Sequence, residues 1–112
     1  MSYIYQVINA LFYSLCGFKA ALKEKAFQLE LVASLIIIPT AFLVDKSAAE
    51  KALLVLSWFV VLIAELINTA IEKTIDRISI DIHPLSKQVK DMASCAVLFS
   101  IVAFAIVWML IL

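Results

Sequence analysis

Four polar residues on one stripe of an apolar run carry the chemistry open to this chain. Glu65, Asn68, Glu72 and Asp76 fall at i, i+3, i+7 and i+11 within A-E-L-I-N-T-A-I-E-K-T-I-D. At 3.6 residues per turn they share one side of a helix. The stripe leads three carboxylates and an amide from an apolar segment toward water. Ionised groups in hydrocarbon are costly unless paired or bound to a cation, so intramembrane acids point to function. The plainer reading of Glu65 is an interhelical hydrogen-bond partner. The sharper one is a metal or catalytic site at a membrane surface.

Glu65 lies deepest. A carboxylate partly withdrawn from water is poorly solvated as an anion, which makes Glu65 a candidate general base. Glu72 lies two turns on, roughly 10 Å along the axis, too far for one small cation to be shared directly. The spacing assigns Glu72 a separate task, ligation of Mg²⁺ near the headgroups. Mg²⁺ takes one or two carboxylates and completes its shell with phosphate and water, and Glu24 is a candidate second ligand. Asn68 sits between the two acids and can orient either. Lys90 offers a point charge to phosphate, or it snorkels at the interface. Asp91 can instead act as an N-terminal helix charge. His83 can meet a nucleotide or simply face water. Together these parts describe phosphoryl transfer to an acceptor held in the membrane.

The elements that must position them follow from composition. The chain has 112 residues, 65% of them apolar, with a mean hydropathy of +1.08. A soluble domain averages roughly 45–50% apolar, so an all-α membrane protein is expected. It forms one domain over residues 1–112. The net charge is zero, which gives no argument for a nucleic-acid partner. The single glycine, Gly17, excludes Gly-rich phosphate loops. Cys16 and Cys95 have neither zinc nor redox-motif spacing.

Residues 3–22 carry Ile4, Val7, Ile8, Leu11, Leu15, Phe18 and Leu22 at helical spacing, which predicts an amphipathic surface helix. Spans are expected at about 26–44, 52–71 and 92–112. Pro39 is a kink candidate in the first span. Pro84 is expected to start a helix, with His83 extended before it. Lys19, Lys23, Lys25, Lys73, Arg77, Lys87 and Lys90 flank one side of the spans, and only Lys46 and Lys51 flank the other. This bias places the N-terminus and the 73–91 segment in the cytoplasm. Three spans cannot enclose a nucleotide and a lipid, so an oligomer with shared sites is expected, with Glu24 of one chain facing Glu72 of another.

The stripe, followed by H-P-L-S-K-Q-V-K-D-M-A-S, resembles the signature of the prokaryotic diacylglycerol kinases, small integral membrane enzymes unrelated to soluble kinases. Residues Tyr13 to Ala21, Y-S-L-C-G-F-K-A-A, match a further family element. The resemblance implies a homotrimer in the bacterial inner membrane that transfers the γ-phosphate of ATP to diacylglycerol, giving phosphatidic acid. By motif it makes Glu65 the proton acceptor and Glu24 and Glu72 the metal ligands. Tyr13, Glu24, Glu72, Asp81, His83, Lys90 and Asp91 then fall at the ATP. Lys19, Phe27, Glu30, Glu65 and Ser94 fall near the lipid, with Asn68 and Asp76 in support. No arginine precedes Arg77, so an N-terminal arginine common in the family has no counterpart.

Undecaprenol kinases of the same family carry similar motifs, some with the H-P-L seen at His83–Leu85. From another class, a small multidrug transporter would share the size and the buried acid, but it ordinarily has four spans and short loops. A non-catalytic subunit would leave the stripe and Glu24 without a purpose.

Overall fold

A computed structural model of the chain describes residues 2–112. Four helices follow in order: α1 (Tyr3–Ala21), α2 (Lys25–Leu43), α3 (Ala48–Ile78) and α4 (Pro84–Ile111). The last three are long and apolar enough to cross a membrane. They overlap the three segments expected to span, with Val44 and Leu112 just past the ends of α2 and α4. α3 and α4 run beyond the apolar segments, α3 on through Glu72–Ile78 and α4 starting already at Pro84. α3, with 31 residues, is about 46 Å long against a hydrocarbon core of about 30 Å.

α1 ends in tight turns. Leu22 N–H donates to Phe18 O at 3.0 Å and Glu24 N–H to Ala21 O at 2.9 Å. Gln28 Nε2, from α2, donates to Leu22 O at 2.6 Å and so satisfies a carbonyl left over at the end of α1. Phe18 meets Phe27 edge-on at 5.9 Å across the same corner. The face of α1 from Ile4 to Leu15 is exposed. Nothing among the described residues covers it.

α2 continues through Pro39. Proline lacks the N–H that residue 35 would otherwise receive. At the far end of α2, Lys51 Nζ donates to Phe42 O at 2.9 Å and closes the turn into α3. Ser47 then starts α3 with a reciprocal cap: Glu50 N–H donates to Ser47 Oγ, and Ser47 N–H to Glu50 Oε1. Ser47→Ala is expected to lower stability by about 1 kcal/mol, read by denaturant unfolding in micelles. An unchanged midpoint would show that the turn is held by Lys51 alone.

α3 is the central element, with α2 and α4 packed against it. The core gathers Ala21, Phe27, Trp58, Val61 and Leu62, with Phe104 of α4 against them. Two indoles bind the helices together where no water is at hand. Trp58 Nε1 donates to Ser34 Oγ at 2.7 Å, and Trp108 Nε1 to Leu54 O and Ser57 Oγ, each at 3.2 Å. An indole N–H in hydrocarbon needs such a partner.

His83 is extended, and its Nδ1 accepts from Leu85 N–H at 3.1 Å, which caps α4 with Pro84 in its first turn. Among the described residues no backbone has a positive φ and no peptide bond is cis.

Candidate active site

The site is built on the half of α3 that leads out of the apolar region. Glu65 and Asn68, each 8% exposed, face the bundle. Glu72, one turn further, is exposed. Asn68 Nδ2 donates to Glu72 Oε1 at 2.6 Å. Asn68 Oδ1 is buried with no partner. The stripe thus grades along α3 from buried Glu65 and Asn68 to exposed Glu72 and Asp76, with the Asn68–Glu72 hydrogen bond inside it.

Glu30 of α2 lies across the seam, close enough for its charge to act on Glu65. Its Oε1 is buried without a hydrogen bond. Sequence pattern could not show this pairing, because α2 is apolar nearly all round and has no phase to reveal which side faces α3. Phe27 is also settled by packing. It is buried in the core, where it supports the α1–α2 corner.

Glu24 stands at the N-cap of α2 but makes no side-chain cap. Its Oε1 instead pairs with Lys73 Nζ at 2.8 Å. Lys73 had no assigned part beyond its contribution to orientation, and local sequence holds no signal for the contact, which depends on the turn at 22–24. Within one chain, Glu24 thus reaches the residue beside Glu72. Among the described residues no three His, Cys, Asp or Glu side chains converge on one point. The chain accordingly offers isolated carboxylates, hard oxygen donors of the kind Mg²⁺ takes one or two at a time.

A second cluster lies at the α3–α4 connection. Asp81, His83, Lys87, Lys90 and Asp91 line one cleft of about 250 Å³. Four of these are the residues expected at the nucleotide. Lys87 is the addition, and its i,i+4 spacing to Asp91 could have signalled it. Lys87 Nζ pairs with Asp91 Oδ2 at 2.6 Å, and Lys90 Nζ with Asp76 Oδ1 at 2.6 Å. Exposed pairs of this type contribute little to stability, roughly 0–1 kcal/mol, so both lysines can turn to a stronger anion at small cost. Lys90–Asp76 also ties the end of α4 to the stripe. The cleft is smaller than the roughly 300–1,000 Å³ of typical ligand sites.

Tyr13, Lys19 and Ser94 are exposed, the first two on α1 and the third on α4. Among the described residues no side-chain hydrogen bond or ion pair ties them to either cluster. The end of α1 does approach the site helix, since Gly17, Ala20 and Ala21 share a groove with Thr69, Ala70 and Lys73 of α3.

Residues 12–112 match the prokaryotic diacylglycerol kinase family. A diacylglycerol kinase of Pseudomonas aeruginosa is 44% identical over 108 residues, covering 96% of this chain and 88% of the relative. One of Escherichia coli K12 is 41% identical over the same shares. One of Helicobacter pylori strain 26695 is 38% identical over 104 residues, covering 92% of this chain and 81% of the relative.

Proposed function

Because the chain belongs to the prokaryotic diacylglycerol kinase family, and is with it a lipid kinase of the membrane, we propose that it phosphorylates diacylglycerol with ATP to give phosphatidic acid at the cytoplasmic face of the bacterial inner membrane. The observation that carries this reading is the graded stripe, with Glu65 and Asn68 buried, Glu72 exposed, and Asn68 donating to Glu72. A base at the buried end suits an acceptor hydroxyl that arrives from the bilayer. A carboxylate at the wet end suits a metal–nucleotide that arrives from water.

In this reading Glu65 takes the proton of the lipid hydroxyl as its oxygen attacks the γ-phosphorus. Glu72 and Glu24 would hold Mg²⁺, and Lys73 is the partner that Glu24 would exchange for it. Bound Mg²⁺ neutralises phosphate charge. Lys90, with Asp91, Asp81 and His83 around the cleft, positions the phosphates and the nucleoside. Tyr13 adds to the nucleotide side. Lys19, Phe27, Glu30 and Ser94 define the lipid side, Phe27 by shaping the corner under it. Asp76 holds Lys90 until phosphate competes for it.

The assembly we propose is a homotrimer with composite sites. The small cleft and the uncovered face of α1 support it, since both leave the nucleotide only partly enclosed by one chain. In the same reading α1 lies on the cytoplasmic surface of one kinase domain spanning residues 1–112. The N-terminus and the 73–91 segment face the cytoplasm, and the C-terminus lies on the outer side.

The test is label transfer from γ-labelled ATP in mixed micelles with Mg²⁺, with diacylglycerol and undecaprenol offered in parallel. Label in phosphatidic acid is expected. Preferential label on undecaprenol would keep the mechanism and change the acceptor. No label on either lipid, with folded protein, would overturn the kinase reading.

A further inference from the structure

The amide of Asn68 is half used. Its Nδ2 donates to Glu72, while Oδ1 is buried and unpaired. This orientation is forced, because an ionised carboxylate has no donor to offer and the amide must turn its NH₂ toward it. A buried acceptor left without a donor is rare in a native structure and calls for an explanation. The simplest is a donor that exists in another state of the site.

That donor must already be a neighbour, because Oδ1 is closed to solvent. The hydroxyls beside it are engaged elsewhere: Ser100 Oγ donates to Val97 O, and the Thr69 hydroxyl bonds the Glu65 carboxylate. Glu65 lies one turn before Asn68 on the same face and is as deeply buried. As an anion it can only accept. Once protonated it has one O–H to give. The charged groups that face it are both acids, Glu30 from α2 and Glu72 on its own helix. The α4 residues beside Asn68, which include Ala93, Ala96 and Ser100, carry no charge. The Thr69 hydroxyl, one turn on from Glu65, also hydrogen-bonds its carboxylate; a protonated carboxyl has two oxygens and can keep that bond on one while the other gives its proton to Oδ1.

We propose that Asn68 Oδ1 is the acceptor for protonated Glu65, so that one amide joins the general base to the metal ligand Glu72. The proposal rests on Glu65 as the base. In the transfer step the lipid O–H bond breaks and its oxygen bonds to the γ-phosphorus. The γ-phosphorus leaves the bridging oxygen of ADP. The proton passes to the Glu65 carboxylate, which then donates to Oδ1 and later releases the proton to water. Asn68 touches no reacting atom in this step and is a positioning residue. It holds the base ready in its protonated form while Nδ2 keeps Glu72 aligned.

The test needs no turnover, so its failure is separate from failure of the kinase reading. Glu65→Gln places a permanent N–H donor beside Oδ1. Unfolding equilibrium constants are measured in micelles for the full chain, Glu65→Gln, Asn68→Ala and the double variant. The stabilisation from Glu65→Gln is expected to be roughly three- to tenfold larger with Asn68 present than in the Asn68→Ala background. Relief of charge repulsion from Glu30 and Glu72 persists in both backgrounds and cancels in the comparison. Equal gains would overturn the proposal. Should Asn68→Ala not fold, the infrared difference between wild type and Glu65→Gln, taken where Glu65 is protonated, decides alone. Read in a Thr69→Val background, which removes the other hydroxyl on this carboxyl, a hydrogen-bonded carboxyl stretch supports the proposal, and a free-carboxyl stretch overturns it.

Discussion

Glu65→Gln is expected to give a folded, membrane-inserted protein whose phosphoryl transfer falls by about 10²–10⁴-fold, the usual contribution of a positioned general base. The substitution keeps shape and volume at a site that is 8% exposed, so it opens no cavity. It removes a carboxylate that has another acid, Glu30, across the seam, so the bundle loses no attractive ion pair. What it removes is the capacity to take a proton. The loss should therefore fall on kcat, with the Mg²⁺ dependence and the KM for ATP close to wild type. Normal turnover in the purified variant, measured by label transfer, would take the base role from Glu65.

The second large effect is expected at Glu72→Gln, with the opposite kinetic pattern. The Asn68 amide can still donate to the new side-chain oxygen, so the local arrangement survives. The charge that would hold a divalent cation does not. Changes even to partners of metal ligands typically cost about 10–100-fold in affinity or activity. The Mg²⁺ concentration for half-maximal turnover should accordingly rise at least about tenfold, and part of the rate should return at high Mg²⁺. A titration that overlays wild type would exclude Glu72 from the ligand set. Because Glu65→Gln is not rescued by metal and Glu72→Gln is, the pair of titrations separates the two tasks that a spacing of two helical turns first assigned.

That spacing was legible because helical periodicity converts sequence distance into direction. The start of α4 was legible for a comparable reason: proline lacks an N–H and restricts the residue before it, so His83 and Pro84 could occupy only a few states. Contacts between helices were not legible. Lys90 reaches Asp76 across a loop, and Glu24 reaches Lys73 around a corner whose shape depends on Gln28 binding the end of α1. Glu30 was visible as an acid but not as the neighbour of Glu65. Its helix is apolar nearly all round, and only packing selects the face that α3 covers. The chemistry of the stripe thus belongs to one helix and could be read from one segment. The site as a whole belongs to several helices.

One property of the backbone bears on how such a chain varies over evolutionary time. No described residue adopts a left-handed conformation, and even Gly17 has open space where a Cβ would sit. Few positions are therefore reserved for a particular amino acid by backbone geometry alone. Most of the helical surface asks only that a side chain be apolar, a demand met by many residues, while the acids and the amide of α3 have few substitutes. Such tolerance is compatible with relatives that differ from this chain at more than half of their aligned positions while still aligning along nearly all of it. In a molecule of this design, identity at a polar position inside a span carries far more information than identity averaged over the chain.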